Sequence, residues 1–287
     1  MLSRRQQWFF FAPFFLLVVL FMIWPALYGL FTSLTNYVPF QKISVHFVGF
    51  SNYIRILSDR DFRRALGNIL VFTFFAVSIE LLLGVLAAYR LRKAFRGRSV
   101  IRFILLIPWL ISPLANGIMW RFLLGLSHGI STYGAGMLHL YDFPSLLGQG
   151  LALPTMIAVD IWRKMPLVMF LVLPGLQFIA PAYWDLADLE GMSLWVRLRH
   201  IVFPQVRLLL LTIMLLLIGD TLATAESILM VTGGGPGSET MTPGLYSYNH
   251  AVNIHDWLGA TTSAWLIAAI VLLAGSVYLA IVRREQA

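Results

Sequence analysis

The stretch DLADLEGMSLWVRLRHIVFP, Asp185 to Pro204, decides how the rest of the chain is read. It is charged and helix-prone, yet it lies between two strongly apolar segments, so it belongs in water or against another protein. Asp185, Asp188 and Glu190 fall in a first helical piece from Trp184 to Glu190, and Arg197, Arg199 and His200 in a second. Gly191 between them can turn the chain with φ > 0 at no steric cost. The spacing predicts a compact helix-turn-helix knob over 185 to 204.

Outward from this knob the chain is apolar. Of its 287 residues 59% are hydrophobic and 12% charged, and the mean hydropathy is +0.79, which excludes a soluble domain and indicates a polytopic membrane protein. Runs long enough to cross a hydrocarbon core of about 30 Å occur at 8–30, 66–89, 103–124, 151–178, 206–228 and 258–282. Each is expected to be helical, because lipid offers no partner to unpaired backbone groups and no alternating barrel pattern is present. The fold class is therefore all-α integral membrane with six transmembrane helices, a single domain over 1–287. Arg4 and Arg5 ahead of a long first run indicate a retained span rather than a cleaved signal.

The net charge of +8 follows the membrane rather than a nucleic-acid partner. With the N-terminus cytoplasmic, the inner segments hold Arg4, Arg5, Arg90, Arg92, Lys93, Arg96, Arg98, Arg102, Arg197, Arg199, Arg207, Arg283 and Arg284. The outer ones hold Lys42, Arg55, Arg60, Arg63 and Arg64, all in the first external loop, and none in 125–150 or 229–257. Both termini and the knob thus face the cytoplasm. The basic cluster from Arg90 to Arg102 contains no acid and reads as an anchor near anionic lipid.

Two runs carry polar residues that a bilayer makes costly. The fourth holds Asp160, Arg163 and Lys164 beside Trp162 and Pro166, and each charge costs about 2.5–3.5 kcal/mol to insert. Asp160 and Lys164, four apart, can pair on one face, and Pro166 allows a kink. In the fifth, Leu217, Asp220, Thr221 and Thr224 share one helical face. Glu80 is assigned to helix packing, and Glu226 to no role. No cysteine is present, the six histidines have no metal-binding spacing, and G-x-x-x-x-G-K-[ST] is absent, so the Thr232–Gly237 glycines form an outer turn rather than a phosphate loop.

The positions Asp185, Ala187, Gly191, Ile201 and Pro204 resemble the E-A-A-x-x-x-G-x9-I-x-L-P loop of ABC-importer membrane subunits, with Leu186 and Phe203 as departures. Val48 to Tyr53 resembles a segment before the second helix of carbohydrate-importer permeases. Trp162 with Pro166, and Thr232-Gly-Gly-Gly-Pro236, resemble the maltose-type first permease.

The resemblance implies a type I importer fold, in an inner membrane of a bacterium or archaeon. It implies that Asp185, Ala187, Asp188, Glu190, Gly191 and Pro204 belong to a coupling helix that docks into a cytoplasmic ATPase. The implied partners are a second homologous permease subunit, two ATPase subunits that bind ATP and magnesium, and an extracytoplasmic binding protein. No cofactor is expected in this chain. Carried over by position, the lining of a carbohydrate cavity would include Trp162, Arg163, Lys164, Leu167, Leu217, Thr221 and Thr224, to which periodicity adds Asp220. Membrane lipid completes the partners, and nucleic acid is not among them. The alternatives are a proton- or ion-coupled secondary transporter with Asp160 or Asp220 titrating, which should show internal repeats, and a membrane enzyme, which should show a reactive constellation.

Overall fold

The computed structural model describes residues 4–39, 44–125 and 145–286, together with Gly129, Tyr133 and Met137. Lys42, His128, His139 and most of the external segment 125–150 lie outside the described residues. Among the described residues the chain is helical, apart from one antiparallel bridge between Thr35 and Phe47.

The first crossing consists of α1 (Arg4–Val18), a π turn (Val19–Ile23) and α2 (Trp24–Ser33). Its apolar side chains from Phe11 to Phe31 are largely uncovered by the rest of the chain. A short amphipathic helix, α3 (Ser51–Ser58), follows, pinned by Asn52, whose Nδ2 donates to the carbonyls of Ser33 and Thr35 at 2.9 and 3.0 Å.

α4 (Arg60–Leu91) begins where Asp59 caps it, its Oδ1 accepting the N–H of Asp61 at 2.7 Å and of Phe62 at 3.3 Å. Arg60, Arg63 and Arg64 are therefore in the first turns of a 32-residue helix, not in a loop, because the cap starts the helix ahead of its apolar run.

The third apolar run, 103–124, is not one helix. It divides into α5 (Arg98–Leu110) and α6 (Pro113–Leu124), bent by 94°. Ser112 precedes a proline and is driven to ψ 148, and its hydroxyl then caps α6 by accepting the Ala115 N–H at 3.3 Å.

The fourth run is one 26-residue helix, α7 (Ala152–Gln177), which continues through Pro166 and Pro174 and then bends by 90° into α8 (Pro181–Leu189). Next come α9 (Leu194–Arg197), a π turn (Leu198–Val202) and α10 (Phe203–Leu222), which together form one candidate span of 29 residues. This fifth crossing stops at Leu222 rather than 228. Ala225, at φ −135 and ψ −39, breaks it before the short helix α11 (Glu226–Val231). α11 packs on α6, where a Cβ on Gly117 would lie 2.6 Å from that of Met230, and the Ser227 hydroxyl donates to the Pro113 carbonyl at 2.9 Å.

The chain ends with α12 (Pro243–Asn249), a π turn (His250–Ile254) and α13 (Trp257–Gln286). Four helical segments are long and apolar enough to cross a membrane, six if each bent pair is one crossing. The core is the seam of α4, α7 and α10, where Val77, Val85 and Ala88 meet Val168, Met169, Val172, Val206 and Ile213. The helices approach closely there because residue 84 is glycine. A Cβ at Gly84 would lie 2.5 Å from that of Val168.

At the external end a polar cluster ties α3, α4, α12 and α13 together. The Tyr246 hydroxyl donates to Asp59 Oδ2 at 3.0 Å, Arg55 lies 3.4 Å from Asp256, and His250 Nδ1 lies 3.1 Å from Asp256 Oδ2. The His250 ring stacks on Tyr246 at 4.1 Å and is half-buried. Burial opposes ionisation of Asp256. The Gly259 N–H, the Arg55 guanidinium and His250 outweigh it and hold the carboxyl below its usual range.

Candidate functional site: a buried charge network above a cytoplasmic turn

On α7, Asp160, Arg163 and Lys164 stand at i, i+3 and i+4 and so share a face. That face meets Asp220 and Thr221 of α10. Lys164 Nζ lies 2.9 Å from Asp160 Oδ2 and 2.8 Å from Asp220 Oδ2, and donates to Thr221 Oγ1 at 2.9 Å. Arg163 Nη2 lies 3.6 Å from Asp160 Oδ1 and 3.8 Å from Asp220 Oδ2. Two cations therefore face two carboxylates. The side chains of Lys164 and Asp160 are 2% and 5% exposed, that of Asp220 62%, so the network is sealed at one end and open at Asp220.

The other positions taken from the sequence scatter around this core. Thr224 is buried and its hydroxyl donates to the Asp220 carbonyl at 3.1 Å, so it is spent on its own helix. Trp162 is 37% exposed and lies edge-on to Trp120 of α6, with centroids 5.4 Å apart. Leu167 is half-buried, and Leu217 is buried in the α4–α7–α10 core.

Glu80, assigned to helix packing, is in the packed face of α4 and also belongs to the charge network. It is fully buried on α4, its charged neighbours are Asp160, Lys164, Arg163 and Asp220, and neither carboxylate oxygen has a hydrogen bond among the described residues. Asn116, also overlooked, is buried on α6 and Trp120 is partly buried there; the Asn116 amide and the Trp120 indole nitrogen are sealed with no hydrogen bond among the described residues. Their one-turn spacing within an apolar run is the signal that was available.

The cytoplasmic turn is built differently. Gly191 takes φ +61 with open space around it, and the Met192 N–H donates to the Ala187 carbonyl at 3.0 Å, closing α8. Arg197 Nε donates to the Met192 carbonyl at 2.7 Å, Nη2 to the Ala187 carbonyl at 3.0 Å, and Nη1 pairs with Asp188. Ala187 is buried, whereas Asp185, Asp188 and Glu190 are exposed. So are Leu186 and Leu189, at 49% and 86%, an apolar surface that points to a protein partner.

The second helical piece of the knob is not separate. Arg197, Arg199 and His200 lie at the start of the fifth crossing, and Pro204, which has no N–H to give, follows the π turn Leu198–Val202.

The described residues contain no cluster of metal-ligating side chains. The model for binding-protein-dependent transport system inner membrane components matches residues 80–285. The chain is 30% identical over 271 residues to the trehalose/maltose transport system permease protein MalF of Thermococcus litoralis, covering 94% of this chain and 91% of that one. It is 28% identical over 268 residues to the sn-glycerol-3-phosphate transport system permease protein UgpA of Agrobacterium fabrum, covering 92% and 89%. Among solved structures, a bacterial ABC transporter that imports the acidic polysaccharide alginate contains a chain matching with a TM-score of 0.82 at 19% identity, over 98% of this chain and 96% of that one. The chain belongs to the family of binding-protein-dependent transport inner membrane components, and is a multi-pass inner-membrane permease with that importer fold.

Proposed function

We propose that this permease translocates a saccharide or related polyol, handed to it by an extracytoplasmic binding protein. It pairs with a second, homologous permease subunit and with two cytoplasmic ATPases, which hold ATP and magnesium and dock on the 185–204 turn. One observation carries this reading. The turn is joined through α8, across a 90° bend, to α7 and runs directly into the helix ending in α10, and the side chains of α7 and α10 form the Lys164–Asp220 network. A displacement of the turn is therefore delivered along both helices to the same buried polar site.

The charge balance supports a neutral substrate. Arg163 and Lys164 already face Asp160 and Asp220, so the open end offers hydrogen-bonding groups and the Trp162 ring rather than excess positive charge. A second reading, an anionic polyol phosphate, is favoured by Arg163 Nε, which is buried without a hydrogen bond among the described residues.

The test is to purify the chain from its native membrane, identify its companions by mass spectrometry, and measure ATPase stimulation by binding protein loaded with trehalose, maltose or glycerol 3-phosphate. A second permease, a Walker-motif ATPase and stimulation by a neutral saccharide are expected. A chain isolated alone, with uptake driven by a proton gradient, would refute the importer assignment; stimulation by the phosphate ester alone would replace the substrate.

A further inference from the structure

We propose that the cytoplasmic end of α4 and the turn after α8 form a binding site for an anionic phospholipid, its phosphate in a basic pocket and an acyl chain in an adjoining apolar groove. The inference does not depend on what the permease carries.

The pocket, about 340 Å³, lies between Arg90, Arg92 and Lys93 on one side and Met192, Leu194 and Arg197 on the other. Its charges are unbalanced. Arg197 is spent on Asp188 and two backbone carbonyls; Asp188 also attracts Lys93 and Arg92 from beyond ion-pair distance, and among the described residues no acid forms an ion pair with Arg90, Arg92 or Lys93, which leaves three cations and Arg197 against one carboxylate. Arg92 is held in place without using its donors. Its guanidinium sits 3.5 Å from the centroid of the Trp184 ring and 4.7 Å from that of Tyr89, while Nε and Nη2 make no hydrogen bond there. A guanidinium pre-positioned by two rings, beside the exposed cations Arg90 and Lys93, is a site for a phosphate.

The groove, about 370 Å³, begins one turn further into the membrane. It runs along Ser78, Leu82 and Leu86 of α4, opposite Trp195, Phe203 and Leu211. Leu86 stands three and four residues before Tyr89 and Arg90, so groove and pocket share one face of α4. From Ser78 to Leu86 the helix rises roughly 12 Å, most of the roughly 15 Å hydrocarbon depth of one leaflet. Cations at headgroup level over an apolar channel of leaflet length match a phospholipid, not a free anion, and its leaflet is the one bounding the basic side of the chain. A lipid seated there ties the end of α4 to the coupling turn.

The test uses the full chain in mild detergent, with dioleoyl phosphatidylglycerol and dioleoyl phosphatidylcholine as probes and bound lipid counted by native mass spectrometry. The phosphatidylglycerol is expected to be retained preferentially. The double variant Arg90→Ala/Lys93→Ala is expected to weaken its binding about twenty-five-fold, fivefold per cation, and to leave phosphatidylcholine unchanged. Leu82→Trp, which fills the groove and leaves every cation in place, is expected to weaken both lipids; unfolding midpoints certify that the variants are folded.

Equal retention of the two lipids, or no loss in either variant, overturns the proposal. Displacement of phosphatidylglycerol by millimolar inorganic phosphate, with Leu82→Trp silent, assigns a free-anion site instead. A Leu211→Cys cross-link to the second permease in the intact complex shows that protein fills the groove, and overturns the proposal too.

Discussion

The buried network and the cytoplasmic turn use the same residue types, aspartate against arginine or lysine, in opposite surroundings. In the network Lys164 is 2% exposed and each close contact of its ammonium is with a carboxylate or a hydroxyl. In the turn the Asp188 side chain is 56% exposed, and Arg197 is anchored by the carbonyls of Ala187 and Met192 as much as by its ion pair. Where water is excluded the partner is obligatory, since a stranded charge has nothing else to bind. Where water is present the pair is dispensable and the backbone bonds hold the shape.

The sharpest way to break this contrast is Lys164→Met, which removes the closest partner of both Asp160 and Asp220 and leaves them only the longer contacts to Arg163. A loss of about 3–5 kcal/mol is expected, read as a lowered unfolding midpoint in detergent, and Lys164→Met/Asp160→Asn should recover part of it. A silent Lys164→Met would mean that water reaches the sealed end.

Gly84→Ala tests the seam that holds the network shut. The added methyl meets Val168, and overpacking of this kind costs about 1–3 kcal/mol. Gly191→Val tests the turn: φ +61 with open space leaves only the backbone penalty, about 1–2 kcal/mol. ATP hydrolysis should then continue with reduced uptake. Gly191→Asn, which tolerates that conformation, should restore coupling, and unchanged uptake in the valine variant would remove the turn from coupling.

The external cluster gives a pH signature. Asp256 has a carboxyl pKa below its unfolded value, so its contribution is complete above the unfolded value and is lost as pH falls through the folded one. Acidification should lower the unfolding midpoint, and Asp256→Asn should flatten that response. The smallest effect is expected from Asp188→Ala, an unchanged midpoint, with Arg197 still bonded to two carbonyls.

What could be read from the sequence was local. Spacings of three and four put Asp160 beside Lys164 and Asp220 on the face of Leu217 and Thr224, and hydropathy found the apolar runs. The bend inside the third run was not read, because a hydropathy window averages across it; the Ser112-Pro113 pair, with a cap three residues from Ala115, was the available signal. The charged neighbours of Glu80 could not be read because they come from α7 and α10, eighty and one hundred and forty positions along the chain. The knob's second helix was misread because nothing in residues 194–204 marks a stop, and the helix has none before Leu222.

Residue 29 is a glycine because the indole nitrogen of Trp265 comes within 3.3 Å of where its Cβ would stand. The first crossing thus waits for the last. Those two positions are 236 residues apart in the sequence, and at roughly 5–20 residues per second the ribosome separates their arrival by about 12–47 s. Throughout that interval the first helix stands in lipid without its mate, a period in which a chaperone or a neighbouring chain can reach it.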